Sequence, residues 1–246
     1  AILSEPAFAA LSQDGKAPVI ESIVVARDNP FAAKDPAVVV ATLAQEAPLG
    51  GESLLSARAR EAGSACRWFH EFLRIAIEPF LVAEGSLGII LGAHQQNLLL
   101  STENGWPKKA YFRDCHGTGY TAEGVARFLG CVPLLAEDNG NLVPARMGQV
   151  LFGYYLILNT VFNVVAGLAE TTGEETALLE QLRAFLLEVR KRSGLNPAFI
   201  DYLTLSPKLL QKGNFSCAWA SLNENTTADP LAIYTEIPNP LYRGHP

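Results

Sequence analysis

Residues 150–169 (VLFGYYLILNTVFNVVAGLA) contain no charged side chain and are long enough to cross a bilayer as a helix. A run of this kind permits two outcomes: a membrane span, or the central helix of a core large enough to enclose it. Tyr154, Tyr155, Asn159, Thr160 and Asn163 interrupt the run, and no excess of Lys and Arg flanks one end to set an orientation. The reading is therefore a buried helix crossing a folded core, with no membrane partner. Asn159 and Asn163 lie four apart and share one helix face. With 246 residues, 49% of them hydrophobic, the chain can build the core that such a helix needs.

The rest of the composition narrows the function classes. Charged residues make up 18%, and the formal charge is 19 − 25 = −6 with no large block of one sign. Disorder is excluded, and so is nucleic acid as a partner, because neutralising phosphates takes a basic surface. The cluster Arg190-Lys191-Arg192, just before Gly194, fits a helix end whose dipole favours cations. Cys66, Cys115, Cys131 and Cys217 show no metal-ligand spacing, which fits free, buried thiols in a reducing cytoplasm. The chain opens at Ala1 and its only methionine is Met147, so a piece of a longer polypeptide is expected.

Residues 18–27 and 37–44 are rich in β-branched side chains around the turn formers Asp28-Asn29-Pro30 and Lys34-Asp35-Pro36, and read as two strands of one antiparallel sheet. From Ser53 to Val82 the pattern becomes helical, with Ala65, Phe69, Phe72, Ala76 and Phe80 at three- and four-residue steps, until Pro79 kinks or ends it. Residues 97–101 and 108–112 flank Asn104-Gly105-Trp106-Pro107, a hairpin signal. Helices are expected near 122–129, 147–170 and 174–193, the last with Leu178, Leu182, Phe185 and Val189 as its apolar stripe. The sum is an α+β fold: an antiparallel sheet whose hairpin carries the site, surrounded mostly by helices, with no internal domain boundary.

The chemistry concentrates in Gly92-Ala93-His94-Gln95-Gln96-Asn97 and, across the hairpin, Tyr111-Phe112-Arg113-Asp114-Cys115-His116-Gly117. A hairpin centred between Gly105 and Trp106 pairs residues whose numbers sum to 211, which sets Asn97 opposite Asp114. An amide oxygen and a carboxylate at that separation suit magnesium, which binds few protein oxygens and keeps positions for water and phosphate. A one-residue slip would spoil the pair. Protein kinases place an Asn and a metal-binding Asp in the same order, but here His94 and two glutamines stand where a kinase keeps its base. Nucleotide and metal are suggested, against the alternative of a plain structural hairpin.

These residues resemble the IucA/IucC family of NRPS-independent siderophore synthetases, in its aerobactin-synthetase branch. Arg27-Asp28-Asn29 is similar to the family's Arg-Glu-Asn, the two segments above to its central motifs, and Leu158-Asn159-Thr160 to part of its long helix. Lys212-Gly213-Asn214-Phe215-Ser216-Cys217, Asn223-Glu224-Asn225-Thr226 and Asn239-Pro240-Leu241 are similar to its C-terminal signature. The resemblance implies the C-terminal part of such an enzyme, a palm-like domain with a remnant of the fingers. It implies an ATP- and Mg²⁺-dependent ligase that adenylates citrate or a related acid and joins it to an amine or hydroxylamine. The remaining partners would be the N-terminal half of the same enzyme and a second copy of the chain.

By residue, the resemblance gives Asn97 and Asp114 to metal and nucleotide, His94 to the phosphates and the citrate carboxylate, and Gln96 to a neutral hydrogen bond beside it. Arg27 and Lys212 become candidates for substrate anions. Asn159 is a further substrate candidate, set against a role as a satisfied core amide. Two departures count: Gly92 stands where some members carry a metal-binding Glu, and the family's Ser/Arg/Thr nucleotide motif lies upstream of Ala1. A kinase-like phosphotransferase and a non-catalytic binding or oligomerisation module are the alternatives. A ferric reductase is opposed by the scattered cysteines.

Overall fold

The computed structural model describes residues 1–13, 16–19, 22–31, 36–132, 135, 141–222, 227 and 229–244. Lys34 and Asp35 of the second turn-forming string, and the Asn223-Glu224-Asn225-Thr226 string, lie outside the described residues.

Strand β1 (Ala7–Ala9) pairs antiparallel with β2 (Val24–Ala26) as a separate ribbon. Strand β3 (Val38–Val39) joins a different sheet, so the two expected partners do not pair with each other. The apolar run also leaves the strand early: α1 (Val40–Ala44) turns Val40 and Leu43 into the core at helical spacing. Burial on one helix face outweighs the β preference of the valines.

The expected helix over 53–82 is broken at Gly63, whose φ of 81° ends α2 (Leu54–Glu61), and Ser64 caps the start of α3 (Ala65–Phe72). Beyond α3 the helix widens into a π turn over Leu73–Ile77 and continues as α4 (Glu78–Leu87). Pro79 therefore does not end the helix. It sits at the start of α4, where the wide turn removes the need for its missing N–H.

Strand β4 (Ile89–Ile90) is followed by β5 (Leu98–Glu103) and β6 (Trp106–Phe112), which form the hairpin of a three-stranded sheet with β3. The expected hairpin forms, but Asn104 (φ 51°) and Gly105 (φ 78°) alone make its turn, and Trp106 and Pro107 already belong to β6. Strand β7 (Gly119–Tyr120) returns to pair with β4, and α5 (Ala122–Phe128) follows.

The apolar run forms the expected core helix: α6 (Ala145–Phe152), a π segment over Gly153–Val161, and α7 (Phe162–Leu168). This is the one helix, among the described residues, long and apolar enough to cross a membrane, and more than half of it is buried inside the protein. Helix α8 (Thr172–Arg190) opens with a complete Thr171/Glu174 capping box and buries all four residues of its predicted stripe. Its basic end behaves as expected: Arg190 pairs with Asp201 at 2.6 Å and Arg192 with Glu78 at 2.9 Å. The tail holds α9 (Ala198–Leu205), β8 (Lys208–Lys212), α10 (Asn214–Trp219) and β9 (Tyr234–Pro238), with β8 and β9 antiparallel. One core joins these elements, with Trp68, Phe69, Phe72, Phe152 and Phe199 fully buried.

Where α4 meets α5, Gly88 (φ 69°) and Gly124 press backbone to backbone, and a Cβ on Gly124 would meet the Gly88 oxygen at 2.3 Å. Glu84 sits one turn before this contact, beside a cavity of about 280 Å³ shared with Glu123 and Arg127. Burial, and then the Glu123 charge, push its carboxyl from 4.5 up to about 7. The native state therefore keeps a proton that the unfolded chain releases near 4.5. That contribution to stability is complete below pH 4.5 and is lost as pH rises to about 7. Glu84→Gln removes the titration, and after allowance for partial exposure it is expected to add about 2 kcal/mol at pH 8 relative to its effect at pH 4. Urea unfolding at both pH values checks this, and an equal effect at the two would contradict it.

Candidate active site

Two loops face each other inside a closed frame. Residues 91–97 run between β4 and β5, and residues 113–118 between β6 and β7. The β5–β6 ladder ties them at one end and the β4–β7 ladder at the other. Between these ladders the Arg113 N–H donates to the Asn97 oxygen at 3.0 Å, and the Arg113 Nε donates to the Gln96 oxygen at 3.2 Å. The Asn97 N–H closes a tight turn on the His94 oxygen at 2.8 Å.

The register departs from the sequence expectation. At the turn, Glu103 faces Trp106 and Thr102 faces Pro107; a bulge then shifts the pairing so that Ser101 faces Lys109 and Leu98 faces Phe112. Continued outward, that ladder sets Asn97 opposite Arg113 instead of Asp114. The hairpin turns on Asn104-Gly105, earlier than the assumed centre, and the bulge recovers only part of the difference. Parity also fails for another reason: Asp114 has φ 67°, a left-handed conformation in which strand alternation no longer sets the side-chain direction. Asp114 nevertheless follows directly on the residue that pairs with Asn97, and its charge reaches His94.

Asn97 is 7% exposed, and its Nδ2 donates to the Gly92 oxygen at 3.2 Å. Its Oδ1 accepts no hydrogen bond among the described residues, and no buried side-chain polar atom there lacks a partner, so that oxygen is open to solvent. His94 is half-buried, its ring 5.8 Å from that of Tyr155. Burial lowers the His94 pKa below its usual value, the Asp114 charge opposes this, and Arg113 adds to the lowering. The net result is a neutral imidazole at neutral pH.

The remaining candidates fall at different distances from this centre. The Gln96 side chain is exposed at the loop surface. Arg27 donates from Nε to Glu5 at 2.7 Å; burial, and then the Glu5 charge, raise the Cys115 thiol, which places that ion pair beside the 113–118 loop. Asn159 is half-buried, and its Oδ1 accepts from the Gln95 N–H at 3.1 Å, an anchoring contact with the loop itself. Lys212 ends β8 and lines a cavity of about 600 Å³ with Tyr154, Asn214 and Thr235. A ladder of rings, His94–Tyr155–Tyr154–Tyr234, with centroids 5.8, 5.3 and 5.7 Å apart, connects the loop to that cavity. The Asn214 Nδ2 donates to the Tyr154 hydroxyl at 2.8 Å, and Phe215 and Trp219 stand exposed beside it. Arg113, Tyr155, Gln95 and Asn163 are absent from the sequence-derived set although the structure gathers them at the site. The spacing of Asn163 from Asn159 was the available signal.

Among the described residues no group of three or more His, Cys, Asp or Glu side chains could hold a metal. A divalent ion held by Asn97 and Asp114 would have to be a shared one, with ligand oxygens completing its shell. At Gly92 a Cβ would meet only the Gly117 oxygen, at 4.0 Å, so this position leaves open space where a further ligand would stand.

Residues 66–227 match the family model described as ferric iron reductase FhuF-like transporter. The chain is 35% identical to the N(2)-citryl-N(6)-acetyl-N(6)-hydroxylysine synthase of Vibrio mimicus, over 98% of its own length and 42% of the relative's. It is 29% identical to the spermidine-citrate ligase of Bacillus anthracis, with 98% and 42% covered. The ATP-bound aerobactin synthetase IucA from a hypervirulent pathotype of Klebsiella pneumoniae superposes with a TM-score of 0.82 at 28% identity, over 98% of this chain and 43% of that one. The chain belongs to the IucA/IucC siderophore-synthetase family, through a region that is also FhuF-like. This IucA/IucC chain spans about two fifths of the length of the curated relatives it matches. The FhuF-like match runs from α3 past α10 and takes in both loops and the long helix. The four cysteines of the IucA/IucC chain are free, but they are not the buried thiols expected: Cys66, Cys115 and Cys131 are exposed and Cys217 is partly buried.

Proposed function

We propose that the chain is the C-terminal, palm-like part of an ATP-dependent ligase that activates citrate or a related carboxylic acid and joins it to an amine or hydroxylamine. What supports this reading is that the loop of His94 and Asn97 and the loop of Asp114 are fixed by flanking ladders, with the Asp114 charge felt at His94, in a chain that superposes on an ATP-bound synthetase. A cytoplasmic location and assembly with further copies belong to the same proposal.

In the reaction a carboxylate oxygen attacks the α-phosphorus of ATP and pyrophosphate leaves. The amine nitrogen then attacks the acyl carbon, AMP leaves, and the nitrogen loses a proton. Magnesium, held by Asn97 and Asp114, would neutralise phosphate charge as it develops. His94, neutral at pH 7, donates an N–H to a phosphate or carboxylate oxygen without the cost of burying a second charge. Arg113, bound to the Gln96 oxygen, holds the two loops together while keeping a guanidinium beside the anionic ligand. Lys212, across the Tyr154–Tyr155 pair, offers a cation to the part of a substrate that enters the larger cavity.

The test uses the complete polypeptide with ATP, citrate and a panel of diamines and hydroxylamines. AMP and pyrophosphate are expected, along with citrate-dependent exchange of pyrophosphate into ATP. ADP as product would favour the kinase-like reading, and turnover indifferent to citrate would remove the carboxylate from the proposal.

A further inference from the structure

The loop that carries His94 and Asn97 is held from behind by three side chains of the long helix. The Gln95 N–H donates to Asn159 Oδ1 at 3.1 Å, Thr160 Oγ1 donates to the Ala93 oxygen at 3.0 Å, and Asn163 Nδ2 donates to Gln95 Oε1 at 2.5 Å. The Gln95 oxygen accepts from the Ala41 N–H at 3.0 Å, so both main-chain groups of Gln95 and its side chain are engaged away from the site. The helix is in its π form where it meets the loop. The Phe162 N–H reaches back five residues to the Ile157 oxygen, and the Thr160 hydroxyl is shared between Ala93 and the oxygen of Tyr155, also five residues back. In an α-helix successive residues are separated by roughly 100° about the axis. The wider turn reduces that angle and draws Asn159 and Thr160 towards a single face.

We infer that Asn163 and Gln95 form a positioning pair that sets the His94–Asn97 loop from the π-form helix without touching substrate. The pair is two amides and carries no charge. Its effect is exerted through the placement of the loop, whose turn is closed by the Asn97 N–H on the His94 oxygen. For turnover the inference rests on the ligase reading; for the order of the loop it does not.

The experiment compares the complete polypeptide with Asn163→Leu, Gln95→Ala and the swap Asn163→Gln/Gln95→Asn, which moves one methylene across the pair and restores amide against amide. Gln95→Ala removes the same bond from the loop side, so the test survives if the helix variant fails to fold. Both broken variants are expected to lose roughly 10- to 100-fold in kcat, with KM for ATP changed far less, as for a small displacement of reacting groups. In both, the Asn97 amide, which closes the turn on the His94 oxygen, should lose protection from hydrogen exchange while the amides of α8 keep theirs. The swap should recover most of both changes. Wild-type protection of the Asn97 amide in Gln95→Ala would overturn the inference. So would a swap as impaired as the broken variants, which would mean that only packing mattered. If the wild-type polypeptide shows no pyrophosphate exchange, the ligase reading fails, and amide protection alone decides the pair.

Discussion

Asp114→Asn is expected to reduce citrate-dependent pyrophosphate exchange by about 10²- to 10³-fold, the scale of losing one fixed group that stabilises developing charge. Asparagine is the informative replacement because residue 114 has φ 67°. Asn and Asp tolerate this conformation, whereas alanine would add backbone strain and confuse lost charge with lost structure. The change removes a carboxylate from the proposed metal shell and leaves its shape. A second readout needs no turnover. The Asp114 charge raises the His94 pKa against burial, so its removal should drive that pKa further down. Exchange close to wild type would take Asp114 out of the metal site, and an unmoved His94 titration would separate the two loops.

Trp68→Ala is expected to destabilise the fold by about 3–5 kcal/mol, as for the loss of a large buried aromatic. Trp68 is fully buried, stacked on Phe72 at 5.7 Å, and its indole N–H donates to the Gly105 oxygen at 2.8 Å. That bond anchors the tip of the hairpin whose far end carries the site. The tip cannot readily rearrange in response. Gly105 has φ 78° and packs so closely on α2 that a Cβ there would meet the Arg58 oxygen at 2.6 Å. Trp68→Phe should cost only about 1–3 kcal/mol, because it keeps most of the packing and leaves a carbonyl unpaired. Urea midpoints for the two variants separate the contributions. Equal losses would show that the hydrogen bond, and not the packing, holds the tip.

The hairpin was legible because Asn104-Gly105 specifies its turn through local sterics, and the stripe on α8 because its period is that of a helix. The pairing of Asn97 was not: the hairpin was centred one residue past the Asn104-Gly105 turn, and the bulge that offsets half of that error is a property of two strands together and leaves no mark in either alone. The valines at 38–40 misled for a related reason: whether such residues extend a strand or start a helix depends on which face the core covers. Of the candidate site, His94, Asn97 and Asp114 were named through ordered motifs, while Gln95 and Asn163, which bond to each other behind the loop, were not. Asn159 and Asn163 read as interruptions of an apolar run, and only the folded chain shows the loop they serve. The tail from Pro197 hid two helices and two strands because its Pro and Asn residues suggest loop at every step.

A helix that is wide in its middle has a length that counts. Removing a single residue between Gly153 and Val161 would let the segment tighten into regular α form, whose larger angle per residue offsets much of the loss downstream but spreads Asn159 and Thr160 apart around the axis. The bonds from Gln95 to Asn159 and from Thr160 to Ala93 could then no longer be made together. Surface connections in such a protein can gain or lose residues at small cost, but this buried stretch works as a ruler. Single-codon deletions there should be among the least tolerated anywhere in the chain.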